Sequence, residues 1–139
     1  MGNDYKIIYE DVRLDEVKDL IALLEKSLTI LNINGANGIA LSAPQLGINK
    51  KAAIIRVNNF SLNLINSNID VGFYKCSFNN ESTVTDINKS FNTERFKEIV
   101  VSNMVYPKRF IATGIIAVAI QQQIDFFNHI TLQDRINNE

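Results

Sequence analysis

Apolar residues recur at helical spacing from Asp15 onward. Val17, Leu20, Ile21, Leu24, Leu28 and Leu31 fall three or four apart, with Lys18, Asp19, Glu25 and Lys26 on the other faces. That pattern predicts an amphipathic helix of about five turns with one face on a core. Asn32, Asn34 and Gly35 stop it. The small residues between Asn37 and Gly47 predict close backbone approach rather than regular structure. Ala52–Val57 and Leu62–Asn66 read as strands. The stretch Phe73 to Phe91 is mixed, with a turn expected at Asn79-Asn80 and a strand from Glu81 to Ile87. Phe96 to Val105 is β-rich, Tyr106-Pro107-Lys108 reads as a hairpin turn, and Arg109 to Ala112 as the returning strand. Thr113 is placed to cap a second helix, on which Ile116, Ala119, Ile120, Ile124 and Phe127 form one stripe around three successive glutamines, Gln121 to Gln123. Helix, strands, helix is the order of an α+β domain, and nothing divides residues 1–139 into more than one.

Composition narrows the chemistry. The 139 residues carry a formal charge of −1, so no basic field invites nucleic acid. The longest uncharged apolar run, Phe110 to Ile120, is too short to span a bilayer as a helix and reads as a buried core segment. Met1-Gly2-Asn3-Asp4 has no signal-peptide character, and Lys6 stands where a myristoylation signal needs Ser or Thr. A single cysteine, Cys76, and a single histidine, His129, exclude a multi-cysteine zinc site. Cys76 reads as a small buried hydrophobe and His129 as a surface or capping residue. Asp125, four residues after Gln121 and ten before Arg135, reads as an ion-pair or helix-capping residue, and Glu81 and Arg95 as partners in a polar network. No phosphate loop, nucleophile elbow or nucleotide fingerprint is present. The 18 asparagines and 20 isoleucines suggest an AT-rich coding sequence.

The run Gly38-Ile39-Ala40-Leu41-Ser42-Ala43-Pro44-Gln45-Leu46-Gly47 resembles the first motif of peptide deformylases, G-x-G-L-A-A-x-Q followed by x-G. Leu64-Ile65-Asn66 resembles that family's L-I-N-P segment, with Ser67 in the proline's place. The segment from Gly114 through Asn128 resembles its G-L-L-A…Q-H-E-x-D-H-L helix, and Leu132 to Ile136 its usual end. The resemblance runs from the Asp15 helix to Arg135. It implies antiparallel strands around a central helix in the C-terminal half, with the amphipathic helix N-terminal to them. In active members two His of that helix and a Cys hold a divalent metal, a Glu is the general base, and a Gln supports the oxyanion as N-formylmethionine is deformylated.

Carried over residue by residue, the resemblance puts Gln122 at the first His, Gln123 at the Glu, Phe126 at the second His and, through Glu81-Ser82-Thr83-Val84-Thr85, Thr83 at the Cys. Ala40 takes the second Gly of the first motif. Gln45 is retained, as are Glu81, Arg95 and Asp125. Phe offers no lone pair, and Gln is a poor ligand for a borderline cation and no base. On this reading Phe126 fills the vacated hole and Gln122 bonds Thr83. The expectation is therefore a chain with no catalytic residues, metal or cofactor, a non-enzymatic structural subunit of a large particle such as a phage tail or baseplate. Its partners are then other protein subunits, with no membrane span and no direct nucleic acid. Its place is the virion or host cytoplasm, or otherwise the cytoplasm or an organelle. Two alternatives remain: a ribosome-associated pseudoenzyme, and a module that still binds peptide N-termini along Gly38, Ala40, Leu41 and Gln45. A Cys76–His129 enzyme is a further reading, without a third group to orient the pair.

Overall fold

A computed structural model describes residues 9–136; the expectations for Met1 to Lys6 lie outside them. After a 3-10 turn at Leu14–Glu16, helix α1 runs from Val17–Ile33 and buries Leu24 and Leu28. Strands β1 (Ala40–Ser42), β2 (Ala52–Val57) and β3 (Phe60–Ile65) form an antiparallel sheet in that order. A second antiparallel sheet holds β4 (Asn68–Thr83), β5 (Asp86–Ser102) and β6 (Arg109–Thr113). Helix α2 follows at Gly114–Phe127, then a 3-10 turn at Gln133–Arg135.

The first sheet is covered on both faces, which explains the unbroken apolar run of β2. Ala53 and Ile55 face one way, into a core shared with Ile99 and Val101 of β5 and Ala117, Ile120 and Ile124 of α2. Ala52 and Ile54 face the other way, into a second core with Leu24 and Leu28 of α1 and Leu41 of β1. The side chain of Asn103 joins the two sheets. Its Oδ1 accepts from the Ile65 N–H at 2.8 Å and from Ser67 Oγ at 2.9 Å, and its Nδ2 donates to the Asn63 carbonyl at 2.7 Å. Helix α2 is buried on nearly all sides from Ala117 to Asp125 and lies between the layers as the central helix.

Five local expectations need correction. The small-residue stretch does form a strand, because Ala40, Leu41 and Ser42 find partners in Ile55, Ile54 and Ala53. Asn79-Asn80 is no turn: Phe78 pairs Thr93 and Glu81 pairs Phe91, so these asparagines are a bulge within β4, and Asn80 takes the left-handed φ of 61°. The real turn is at Val84-Thr85, splitting the expected Glu81–Ile87 strand between β4 and β5. Thr113 occupies the N-cap position of α2 with extended backbone, but its side chain makes no capping bond. The Phe110 to Ile120 run is not uniformly buried, since Ile111 and Ile115 face outward. Among the described residues no helix is long and apolar enough to cross a membrane.

The last turn depends on one carboxylate. Asp134 Oδ2 accepts from the Thr131 N–H at 2.8 Å and from its hydroxyl at 3.1 Å. The Thr131 N–H is the main reason its carboxyl is held below the ordinary value of 3.8. A lowered folded pKa stabilises the fold above the unfolded value, and that contribution is lost as pH falls through the folded one. Melting curves followed through acid below about pH 4 are expected to show this loss, and Asp134→Asn to remove that part of the pH dependence.

Candidate functional site

The bulge at Asn79-Asn80 does more than interrupt a ladder. The extra residue shifts the alternation of β4, so that Glu81 joins the inner face with Thr93 and Arg95. All three are buried. Glu81 Oε1 accepts from Thr93 Oγ1 at 2.7 Å and Arg95 Nε at 2.8 Å, and Oε2 from Arg95 Nη2 at 2.7 Å and Gln122 Nε2 at 3.0 Å. Arg95 Nη1 reaches Asp125 Oδ2 at 2.6 Å, and Arg135 closes the chain on Asp125 at 2.8 Å and 3.0 Å. Burial works against the Arg95 charge, but the bonds and charges of Glu81 and Asp125 outweigh it and raise its pKa. The expected Glu81, Arg95 and Asp125 network is thus present, with the Asp125–Arg135 pair; Thr93 was not foreseen.

Helix α2 meets this network through its glutamines. The Gln121 amide bonds both backbone groups of Phe96, accepting from its N–H at 2.9 Å and donating to its carbonyl at 2.9 Å. It thereby takes the place of a neighbouring strand beside β5. Gln122 donates to Glu81 and, at 2.9 Å, to the Ser82 carbonyl, while its Oε1 accepts from Gln123 Nε2 at 2.9 Å. The expected Gln122–Thr83 bond is therefore not made, because the carboxylate is the stronger acceptor. Thr83 pairs instead with the Thr85 hydroxyl at 3.3 Å. Gln123 is fully buried, and its Oε1 is a buried side-chain oxygen with no hydrogen-bond partner.

Two cavities lie beside Thr83, the first touching Gln122 and the second Phe126. The first, of about 240 Å³, lies between Gly38–Ala40, the end of β4 and the start of α2; its lining includes Thr83, Val84, Val118 and Gln122. Its wall is held by α1, since the Asn32 side chain bonds both the N–H and the carbonyl of Gly38 at 2.7 Å and 3.0 Å. Gly38 must lack a side chain, because a Cβ there would stand 1.6 Å from Val84 Cγ1. The second cavity, of about 230 Å³, is lined by Gln45, Thr83, Thr85 and Phe126 among others. Thr83 lines both, so the two cavities meet at this residue.

Of the expected groove residues, Gly38 and Ala40 line the first cavity and Gln45 the second. Leu41 lines neither, because it points into the core under α1. Phe126 does not fill a hole; it is half-buried on the cleft wall. Gln45 is fixed by accepting from Ser42 N–H at 2.9 Å and Ser42 Oγ at 3.1 Å and by donating to Thr85 at 3.0 Å. An amide nitrogen has two hydrogens, so one remains for a ligand. The pair Cys76 and His129 is not assembled: Cys76 is half-buried opposite Arg95, and His129 is exposed with its ring stacked on Tyr9 at 4.0 Å.

The residues at the metal-ligand positions implied by the resemblance do not fit a divalent metal. Both ends of the Gln122 amide are engaged, the Thr83 hydroxyl is shared with Thr85, and the Phe126 ring has no lone pair. Among the described residues no three His, Cys, Asp or Glu side chains converge to hold an ion.

A family model described as polypeptide deformylase matches residues 6–139. A peptide deformylase of Picosynechococcus sp. is 32% identical over 136 residues, covering 91% of this chain and 72% of the relative. One from Prochlorococcus marinus is 30% identical over 135 residues, covering 91% and 67%. In structure, the peptide deformylase of Synechococcus elongatus crystallised with actinonin superposes with a TM-score of 0.80 at 26% identity, over 96% of this chain and 75% of that one. These likenesses overturn the expectation of a non-catalytic subunit of a phage tail, baseplate or other particle. The relatives that match over nine-tenths of the chain carry the name of an enzyme, and none is named as a virion or structural protein. The non-enzyme and pseudoenzyme readings fall with it, since they drew loss of function from side-chain replacements alone.

Proposed function

Because this chain belongs to the polypeptide deformylase family, we propose that it hydrolyses the formyl group at the amino terminus of a peptide held in the cleft. The observation that carries the reading is the pair of cavities that share Thr83, within a fold shared with proteins of that name. The first cavity has apolar walls at Ile39, Val84 and Val118 beside polar groups at Asn37 and Gln122, which suits an apolar side chain next to a peptide backbone.

Hydrolysis adds water to the formyl carbon and breaks its bond to nitrogen; formate leaves, and the amine takes up the proton. Negative charge gathers on the formyl oxygen as the carbon becomes tetrahedral, and a fixed N–H donor lowers that barrier. Gln45 supplies such a donor through the free hydrogen of Nε2, with its amide held rigid by Ser42 and Thr85. The metal-ligand positions do not fit an ion, and the donor role of Gln45 stands without one.

Formate release from an N-formyl-methionyl peptide tests the reading. Release above the uncatalysed rate is expected. Gln45→Ala is expected to lower kcat by about 10²–10³-fold, the usual loss for one oxyanion donor, with circular dichroism confirming the fold. No formate above the protein-free blank would overturn it.

A further inference from the structure

We infer that the centre of this cleft is held by a chain of amides anchored on a carboxylate, Glu81–Gln122–Gln123, in place of a divalent cation. The inference rests on the deformylase reading for the identity of the cleft, and deepens it by stating what organises the reacting centre. The chain has a direction that chemistry dictates. The Glu81 carboxylate, paired with Arg95, only accepts, so Gln122 must turn its NH₂ toward it, and the Ser82 carbonyl demands the same. The Gln122 oxygen then faces Gln123, which must donate in turn. What remains at the far end is an acceptor, Gln123 Oε1, buried and unpaired. Reversing Gln122 would set its oxygen against the Glu81 carboxylate and its NH₂ against that of Gln123, and reversing Gln123 alone would set oxygen against oxygen.

Placement ties this chain to the cleft. Ala119, Gln122, Gln123 and Phe126 recur on one stripe of α2 at spacings of three and four. Ala119 and Gln122 line the first cavity and Phe126 the second, while Gln123, on the same stripe, is fully buried behind them and lines neither. A cation here would find only an amide oxygen already accepting from Gln123 and a Thr83 hydroxyl shared with Thr85, both weak neutral ligands for a divalent ion. A buried terminal acceptor instead takes a donor such as an internal water.

Two measurements on the full chain test this. Elemental analysis of the purified, dialysed protein is expected to find zinc, iron, nickel and cobalt far below one equivalent. Its melting temperature is expected not to move with EDTA, or with nickel or zinc added to the dialysed protein, because an ion that binds only the native state raises it. About one metal per chain, or a melting temperature lowered by EDTA, would overturn the inference. The combined variant Thr83→Cys, Gln122→His, Gln123→Glu and Phe126→His is expected to take up about one metal per chain. If that variant folds and still binds none, these positions do not form the centre, and the assignment falls. Formate assays separate the two readings. Release unaffected by EDTA supports both, and release abolished by EDTA overturns only this inference. No release from a metal-free, folded chain overturns only the deformylase reading.

Discussion

Arg95→Met is expected to destabilise the protein by about 3–5 kcal/mol, the cost of removing one partner from a buried ion pair. The side chain of Arg95 is 2% exposed and those of Glu81 and Asp125 are 3% and 8%. Removing the guanidinium leaves Glu81 with only the neutral donors Thr93 and Gln122, and Asp125 with the half-exposed Arg135. Water cannot take over at such burial. Arg95→Lys is expected to recover only part of the loss, since an ammonium cannot reproduce the two parallel bonds to Glu81 together with the third to Asp125. The exposed pair Lys75–Glu94, with side chains 62% and 51% exposed, provides the control. Lys75→Met is expected to change stability by no more than about 0.5–1 kcal/mol. Urea denaturation of the three variants measures the difference, and an Arg95→Met cost as small as that of Lys75→Met would show that the network is not a stabilising element.

Asn103→Ala is expected to cost about 3 kcal/mol or more, because it strands three polar groups at the seam between the sheets. The Ile65 N–H, the Asn63 carbonyl and the Ser67 hydroxyl each lose their Asn103 partner, and each such loss costs about 1–3 kcal/mol where water cannot enter. The backbone bond from Asn103 N–H to the Lys108 carbonyl and that from Met104 N–H to the Ile65 carbonyl survive the change. The sheets are therefore expected to stay joined but weakened, with the loss read as a lower denaturation midpoint at an unchanged slope. A changed slope would show that the seam had opened in the native state.

The two helices and the strands β2, β3 and β6 were legible because their burial is periodic or continuous. The long hairpin was not. Most of β4 is solvent-facing and polar, and its bulge carries Asn79-Asn80, the residue types of a turn, whereas the true turn, Val84-Thr85, has none of them. The positions that matter in the cleft came from the resemblance to deformylase motifs: Gln45, Thr83, Gln122 and Phe126 do line it. Their partners were not. That Gln122 turns to Glu81 and not to Thr83 depends on a bulge forty residues away, which pattern alone did not reveal. The functional reading failed for a related reason. The replacements at Thr83, Gln122, Gln123 and Phe126 point away from the activity, while relatives bearing the enzyme's name match the chain over nine-tenths of its length.

The Gln121 amide beside Phe96 has a kinetic consequence. A backbone N–H near the open flank of a sheet ordinarily exchanges its hydrogen with solvent once the local edge frays. The Phe96 N–H is bonded to a side chain of the buried central helix, so it is released only when α2 withdraws. Its deuterium uptake should therefore follow the opening of α2 and not that of the hairpin, making one amide on β5 a clock for the undocking of the helix beside it.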